Sequence, residues 1–411
     1  MTIMAKRGAL LFLGLVLSGV CHAGWLQSGG GSGITIQNFG DAPGVTSRLA
    51  VVEAQVADLA AQQVNASGRG LNWTTNDTDR NWTGAALSAD GRYQTAVVQN
   101  GLIYVSGDYG NSWTAKGGAA AWQAVALSAD GARQTACVCD GPLYCSTNYG
   151  STWAVAAAAG SRTWVGVAMN ASGAWQTALD DQGFVYVSGD FGSTWAGTLT
   201  DEPRNWRGVG ISSNGQYQTA VCERREDGDT GAKYGGGIYV STNFGSAWVL
   251  KQEGRDWKGV VLSGTGARQA ACAAGGRIYV SADFGNTWSP TGEDRDWRGV
   301  AASADGKLIL GIVADQGVHV SNDYGATWTE AGPARWWAQV ASSGDGAYQI
   351  ATIQGGPLWV ARADSHVHGN LTADCALGIG NVGQFMIRGG TQLVFVAGGV
   401  VNVLDADILH P

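Results

Sequence analysis

The chain has 411 residues, 64 of them Gly, with 45% hydrophobic and 14% charged residues and a formal charge of -8. This composition is too apolar for a disordered chain and too rich in glycine for a helical one. An acidic balance also excludes nucleic acid as the expected partner, because phosphate binding needs a basic surface.

The N-terminus reads as a secretory signal peptide over residues 1–23, with Lys6 and Arg7, an apolar run at 9–20 and a small residue, Ala23, for cleavage. The run falls short of the ~20 residues of a membrane helix, and no later segment is long and apolar enough, so no membrane span is expected. The expected location is secreted, or the surface of a cell or virion. Residues 24–69 hold a glycine-rich linker at 28–33 and an alanine-rich stretch at 47–63, in which Leu49, Val52, Val56 and Leu59 follow three-four-three spacing. That spacing predicts a short helix. It reads either as the stem of a parallel coiled coil, making a homotrimer, or as an amphipathic helix lying on the next domain.

From residue 70 to 365 the chain repeats. Units open at Trp82, Trp122, Trp164, Trp206, Trp257, Trp297 and Trp337, spaced by 40, 42, 42, 51, 40 and 40 residues. Six of them carry the phrase Ser-x-Asp/Asn-aromatic-Gly-x-Thr/Ser/Ala-Trp, at 106–113, 146–153, 188–195, 241–248, 281–288 and 321–328. A period near 40 with several short strands per unit predicts propeller blades. In the first unit, 82–88, 93–99 and 102–106 read as strands. Asn100-Gly101 reads as a two-residue hairpin turn, and a short fourth strand follows the phrase. Trp73 precedes Trp82 by the nine residues that separate Trp113 from Trp122, so it belongs to a fourth strand with no unit of its own. The seventh unit lacks the phrase. The expected fold is all-β, a seven-bladed propeller whose last blade is closed by the strand around Trp73, with a short N-terminal helix and a small C-terminal meander.

The phrase resembles the Asp-box, or BNR repeat, of the sialidase-like propeller superfamily, and the resemblance spans all seven units. It implies that the boxes form turns between third and fourth strands, on the face away from an active site. It also implies that Asp108, Asn148, Asp190, Asn243, Asp283 and Asp323 are structural acceptors for the turn. Similarity to a sialidase itself would bring an arginine triad, a Tyr–Glu pair, an acid/base Asp and an Arg-Ile-Pro motif. The chain's one Arg-Ile, Arg277-Ile278, is followed by Tyr279.

Function is therefore sought where the copies differ. Arg80, Arg162, Arg204, Arg255, Arg295 and Arg335 stand two residues before the opening Trp, with Ala120 in the second unit. They read either as a ring binding an anion or acidic glycan at the channel mouth, or as a ladder of ion pairs with Asp79, Asp256, Asp294 and Asp296; the ladder is preferred. Off-repeat carboxylates (Asp180, Asp181, Asp201, Glu202, Glu223, Glu226, Asp227, Asp229) are the material for a glycosidase pair, but no partner motif accompanies them. The charged insertion at 222–236 reads equally as a ligand loop or as a solvated excursion. His366 and His368 are too few for a metal site, and neither a metal nor a cofactor is expected. Cys137, Cys222 and Cys272 occupy strand slots held by Val elsewhere and read as small core residues; a Cys139–Cys145 bridge is disfavoured by pleat parity, and Cys375 has no evident mate. Residues 366–411 suggest three strands. Sequons stand at Asn65, Asn72, Asn76, Asn81, Asn170 and Asn370. The leading reading is a non-catalytic propeller binding a glycan or protein partner through its loop face. Alternatives are a sialidase-like or other glycoside hydrolase, and a structural or assembly factor.

Overall fold

The structure is a computed structural model that describes residues 72–363 except 227–232, and outside that span only the backbone of short strands. The chain forms two compact units, Gly68–Ala363 and a second from Met1–Ser67 with Asp364–Pro411. In the second unit, six strands make one sheet, in which Leu11–Leu17, within the apolar run of the expected leader, pairs with Val20–Gly29. Of the expected C-terminal meander, Gln384–Ile387 and Thr391–Val394 pair as a hairpin, whereas Val400–Val401 pairs with Leu371–Thr372. The helix expected at 47–63 lies outside the described residues, among which there is no α-helix; a 3-10 turn at Ala157–Ala159 is their one helical element.

The larger unit is an antiparallel β-propeller of five blades, which corrects the expectation of a seven-bladed one. Hydrogen bonding divides it into five sheets. Three sheets hold one repeat each. The other two hold six strands and two repeats each, because Thr114–Leu127 and Thr329–Ser342 run unbroken from the outer strand of one repeat into the inner strand of the next. The cause is the connection between repeats. Where it reads Gly117-Gly118-Ala119 or Gly332-Pro333-Ala334, a left-handed glycine (φ 66° at Gly117, 71° at Gly332) shifts the register without ending the pairing, which resumes as Gln99 with Ala121 and Ala314 with Trp336. Elsewhere the pairing stops, at a 3-10 turn, at the Asp201-Glu202-Pro203 corner, at Gly254 and at Asp296. Inner strands neighbour one another in closed succession, and the stretch from Trp337 returns against Trp82–Leu87. At that seam the Ala85 N–H donates to Gln339 Oε1 at 2.8 Å. Trp73–Thr75 pairs antiparallel with Trp359–Arg362, as the spacing of Trp73 predicts, and buries Trp73 against Trp337 with ring centroids 6.1 Å apart.

Each repeat is built around its opening Trp, exposed by 3% or less in all seven. The third strand presents an aromatic partner to it: Trp82 meets Tyr104, Trp122 Tyr144, Trp164 Tyr186, Trp206 Tyr239, Trp257 Tyr279, Trp297 His319 and Trp337 Trp359, edge to face. Such pairs add about 0.5–1.5 kcal/mol each beyond the area they bury. The described cysteines are free, and burial pushes the thiols of Cys137 and Cys272 up to about 12.

Neighbouring repeats are stitched by a buried relay. The Thr95, Thr135, Thr177 and Thr219 hydroxyls donate to Gln134, Gln176, Gln218 and Gln269 of the following repeat at 2.6–2.8 Å. Where Leu310 and Ile350 replace the Thr, the facing Gln349 and Gln94 Oε1 atoms have no donor. Thr135→Val should therefore strand Gln176 in the same way and destabilise the unit by about 1–3 kcal/mol, read as a lower urea midpoint.

Candidate functional site

The phrase turns hold their Asp residues for themselves. In the first, Ser106 Oγ and the Ser112 N–H both donate to Asp108 Oδ1, at 2.7 and 2.9 Å, while Ser112 Oγ donates to Oδ2 at 2.6 Å. Asp190, Asp283 and Asp323 repeat the pattern with Thr194, Thr287 and Thr327, and Asn148 and Asn243 keep its Oδ1 half. The aromatic residue of each phrase adopts a left-handed backbone, φ 58–64° from Tyr109 to Tyr324. It is held there by stacking on the preceding repeat, as Tyr149 on Tyr93 and Phe284 on Tyr217.

The six arginines before the Trp form neither a ring around the channel nor the expected ladder. Arg80, Arg162, Arg204 and Arg255 lie 4.2–4.9 Å over Tyr104, Tyr186, Tyr239 and Tyr279, and Arg335 lies 5.6 Å over Trp359. They cap the Trp–aromatic pairs from above the third strand, away from the axis. Arg204 is the most enclosed, 9% exposed, with Asp201 at 2.8 Å and the Tyr239 hydroxyl at 2.9 Å. Desolvation alone would lower the guanidinium pKa, but Asp201 and the Tyr239 hydroxyl outweigh it and raise it. Arg295, whose repeat carries His319 in place of Tyr, bonds Gln316 and Glu293 instead. Burial first, and the Arg295 charge second, keep His319 below the ordinary histidine range. Three of the four Asp residues of the expected ladder pair elsewhere: Asp256 with Arg224, Asp294 with Arg277 and Asp296 with Arg298.

The channel is lined by a different column. All seven inner strands carry a register shift between the opening Trp and the residue two positions on. Such a bulge lets one strand bury its Trp between sheets and still turn the next side chain toward the axis. That next residue is Thr83, Gln123, Val165, Arg207, Lys258, Arg298 or Ala338, and all seven line a cavity of about 480 Å³. The position after it is small in six repeats because the strands nearly touch: a Cβ on Gly208 would lie 3.0 Å from Gly259 Cα.

Three consecutive repeats thus set cations at the channel mouth. Arg207 bonds Glu223 at 2.6 Å and Asp181 at 2.8 Å, Lys258 shares Glu223, and Arg298 holds Asp296 at 2.6 Å. Burial alone would raise the Glu223 pKa, but Lys258 and Arg207 outweigh it and hold the carboxyl below its usual range. Trp336, 63% exposed, stands beside Arg298 at the same rim. The insertion contributes Glu223 and continues as a hairpin of Gln218–Glu226 with Lys233–Gly235; its Asp227 and Asp229, like His366 and His368, lie outside the described residues. Of the other off-repeat carboxylates, Asp180 pairs with Arg162, and Asp201 and Glu202 pair with Arg204. Among the described residues no group of three His, Cys, Asp or Glu is placed to hold a metal ion, and no helix is long and apolar enough to cross a membrane.

Sequence reasoning missed the column after the Trp. Its signal was present: Thr, Gln, Val, Arg, Lys, Arg and Ala follow seven identical tryptophans, the greatest variation beside the most constant residue.

No family model matches the chain, and no curated protein does. Solved structures that resemble it include YCF48 from Cyanidioschyzon merolae, with 14% identity and TM-score 0.55 over 71% of this chain and 98% of that one. A structure of YCF48 bound to D1 peptide has 13% identity and TM-score 0.56 over 72% and 98%. Kuenenia stuttgartiensis hydrazine synthase has 14% identity and TM-score 0.55 over 69% and 96%. At these identities the likeness shows the fold alone, a β-propeller.

The turn carboxylates make a pH prediction. Asp108, Asp190, Asp283 and Asp323 titrate below their ordinary 3.8, because hydrogen bonds to the charged form outweigh any desolvation. Their stabilisation is present above the unfolded-state pKa and is lost as pH falls through the lower folded value. Replacing all four by Asn, the residue already at 148 and 243, should flatten the loss of stability below about pH 4, followed by circular dichroism across an acid titration.

Proposed function

We propose that this chain is a non-catalytic, exported binding module whose channel mouth takes an extended segment of a protein partner. The observation that carries this reading is the arc of Arg207, Lys258 and Arg298, aimed at the axis by the seven strand bulges and edged by the exposed Trp336. A large exposed aromatic beside cations is the usual make-up of an interface anchor. Carboxylates that a glycosidase would need free are spent on cations at this rim, which favours binding over hydrolysis. The fold likeness to YCF48, one of whose structures holds the D1 peptide, supports a peptide as the ligand class. Export rests on Lys6, Arg7 and the apolar run that follows.

The resemblance of the phrase to the Asp-box agrees with a ligand face opposite the phrase turns. It also keeps a glycan as the second partner class, since Trp336 offers a stacking surface to a sugar ring. Screening the full chain against a displayed peptide library and a glycan array separates the two. Retained peptides are the expected result, with Trp336→Ala weakening them by at least about tenfold. Retention of glycans alone would transfer the site to sugars, and retention of neither would overturn the binding function.

A further inference from the structure

The Thr–Gln relay is interrupted at three repeat junctions, and the interruptions are not alike. Between the sixth and seventh repeats Leu310 faces Gln349, and between the seventh and first Ile350 faces Gln94, so a large side chain occupies the missing hydroxyl's place. Between the fifth and sixth repeats both partners are exchanged, Thr for Ala270 and Gln for Ile309. Neither replacement fills the gap. A cavity of about 310 Å³ opens there, on the face of the phrase turns, at the small end of the about 300–1,000 Å³ that ligand pockets occupy.

Its chemistry is divided. The floor is apolar, from Val261, Ala270, Val280, Ala302 and Ile309. At the mouth the Arg268 guanidinium lies over the Tyr324 ring, its central carbon 3.8 Å from the centroid. Arg268 has no side-chain hydrogen bond or ion pair among the described residues, so its N–H groups are open to a ligand. The one carboxylate among the cavity's lining residues, Asp283, is bound within its own turn: Ser281 Oγ and the Thr287 N–H bind its Oδ1 and Thr287 Oγ1 binds its Oδ2. Arg133 lies over Phe191 in the same way at another junction, yet there Thr135 and Gln176 fill the space beneath.

We propose that this junction is a second ligand site, specific for a small apolar molecule bearing one carboxylate: the body lies on the floor and the carboxylate takes the open N–H groups of Arg268. Calorimetric titration of the full chain with 2-naphthoate should show saturable binding. The neutral 2-naphthamide, and the Arg268→Gln variant with 2-naphthoate, should bind at least tenfold more weakly. Ala270→Thr with Ile309→Gln, which rebuilds the relay, should abolish binding while thermal stability holds or rises. Should that pair fail to fold, Ala270→Leu, copying Leu310 of the next junction, fills the same space. Absence of saturable binding to the unaltered chain, undiminished binding in a folded filled variant, or equal affinity for acid and amide would each overturn the proposal.

Discussion

The strand bulge behind each opening tryptophan is the constraint from which the rest of this propeller follows. A regular strand would alternate its side chains between two faces and leave the axis to whatever parity supplied. With one extra residue, the indole packs edge to face on the third strand and its neighbour is free to point down the channel. At Gly84, Gly208 and Gly259 the backbone of the next inner strand then comes so close that a Cβ would lie 3.0–3.3 Å from it, which favours a small residue at that position. Where Gln339 takes that position instead, its amide becomes the hydrogen-bonded seal between the last inner strand and the first.

Two layers of repetition sit on this frame. On one face the phrase turns consume their own carboxylates and stack their aromatic residues on the preceding repeat. On the other, the arginines cap the aromatic pairs and leave the channel rim to a column that carries no repeat identity at all. Structural duty and variation are separated by a single residue position.

Much of this was readable from the chain. Periodic tryptophans gave the repeat, the orphan Trp73 gave the closing strand, and the Ser-x-Asp geometry was foreseeable from side chains that bond their own turns. The arginines were misread because spacing from Trp fixes their level along the axis but not their direction, and the aromatic partner lies twenty-two residues further on in most repeats. Blade separation was misread for a related reason. Whether two repeats share one sheet depends on backbone pairing across a few Gly and Ala residues, which composition alone leaves open. The junction cavity needed both views, since a missing Thr matters only when the residue facing it is also too small or of the wrong kind.

Closure by Trp73–Thr75 has a mechanical consequence. Trp73 is paired with Ala361, and the adjoining Arg362 reaches the first phrase turn at Tyr109 and Asn111, so the chain enters and leaves the propeller at one point on the rim, on the side of the phrase turns. A load drawn between the two flanks falls first on that single three-residue strand and peels its hydrogen bonds one after another. Tension along its own chain therefore opens the ring at its closing strand first.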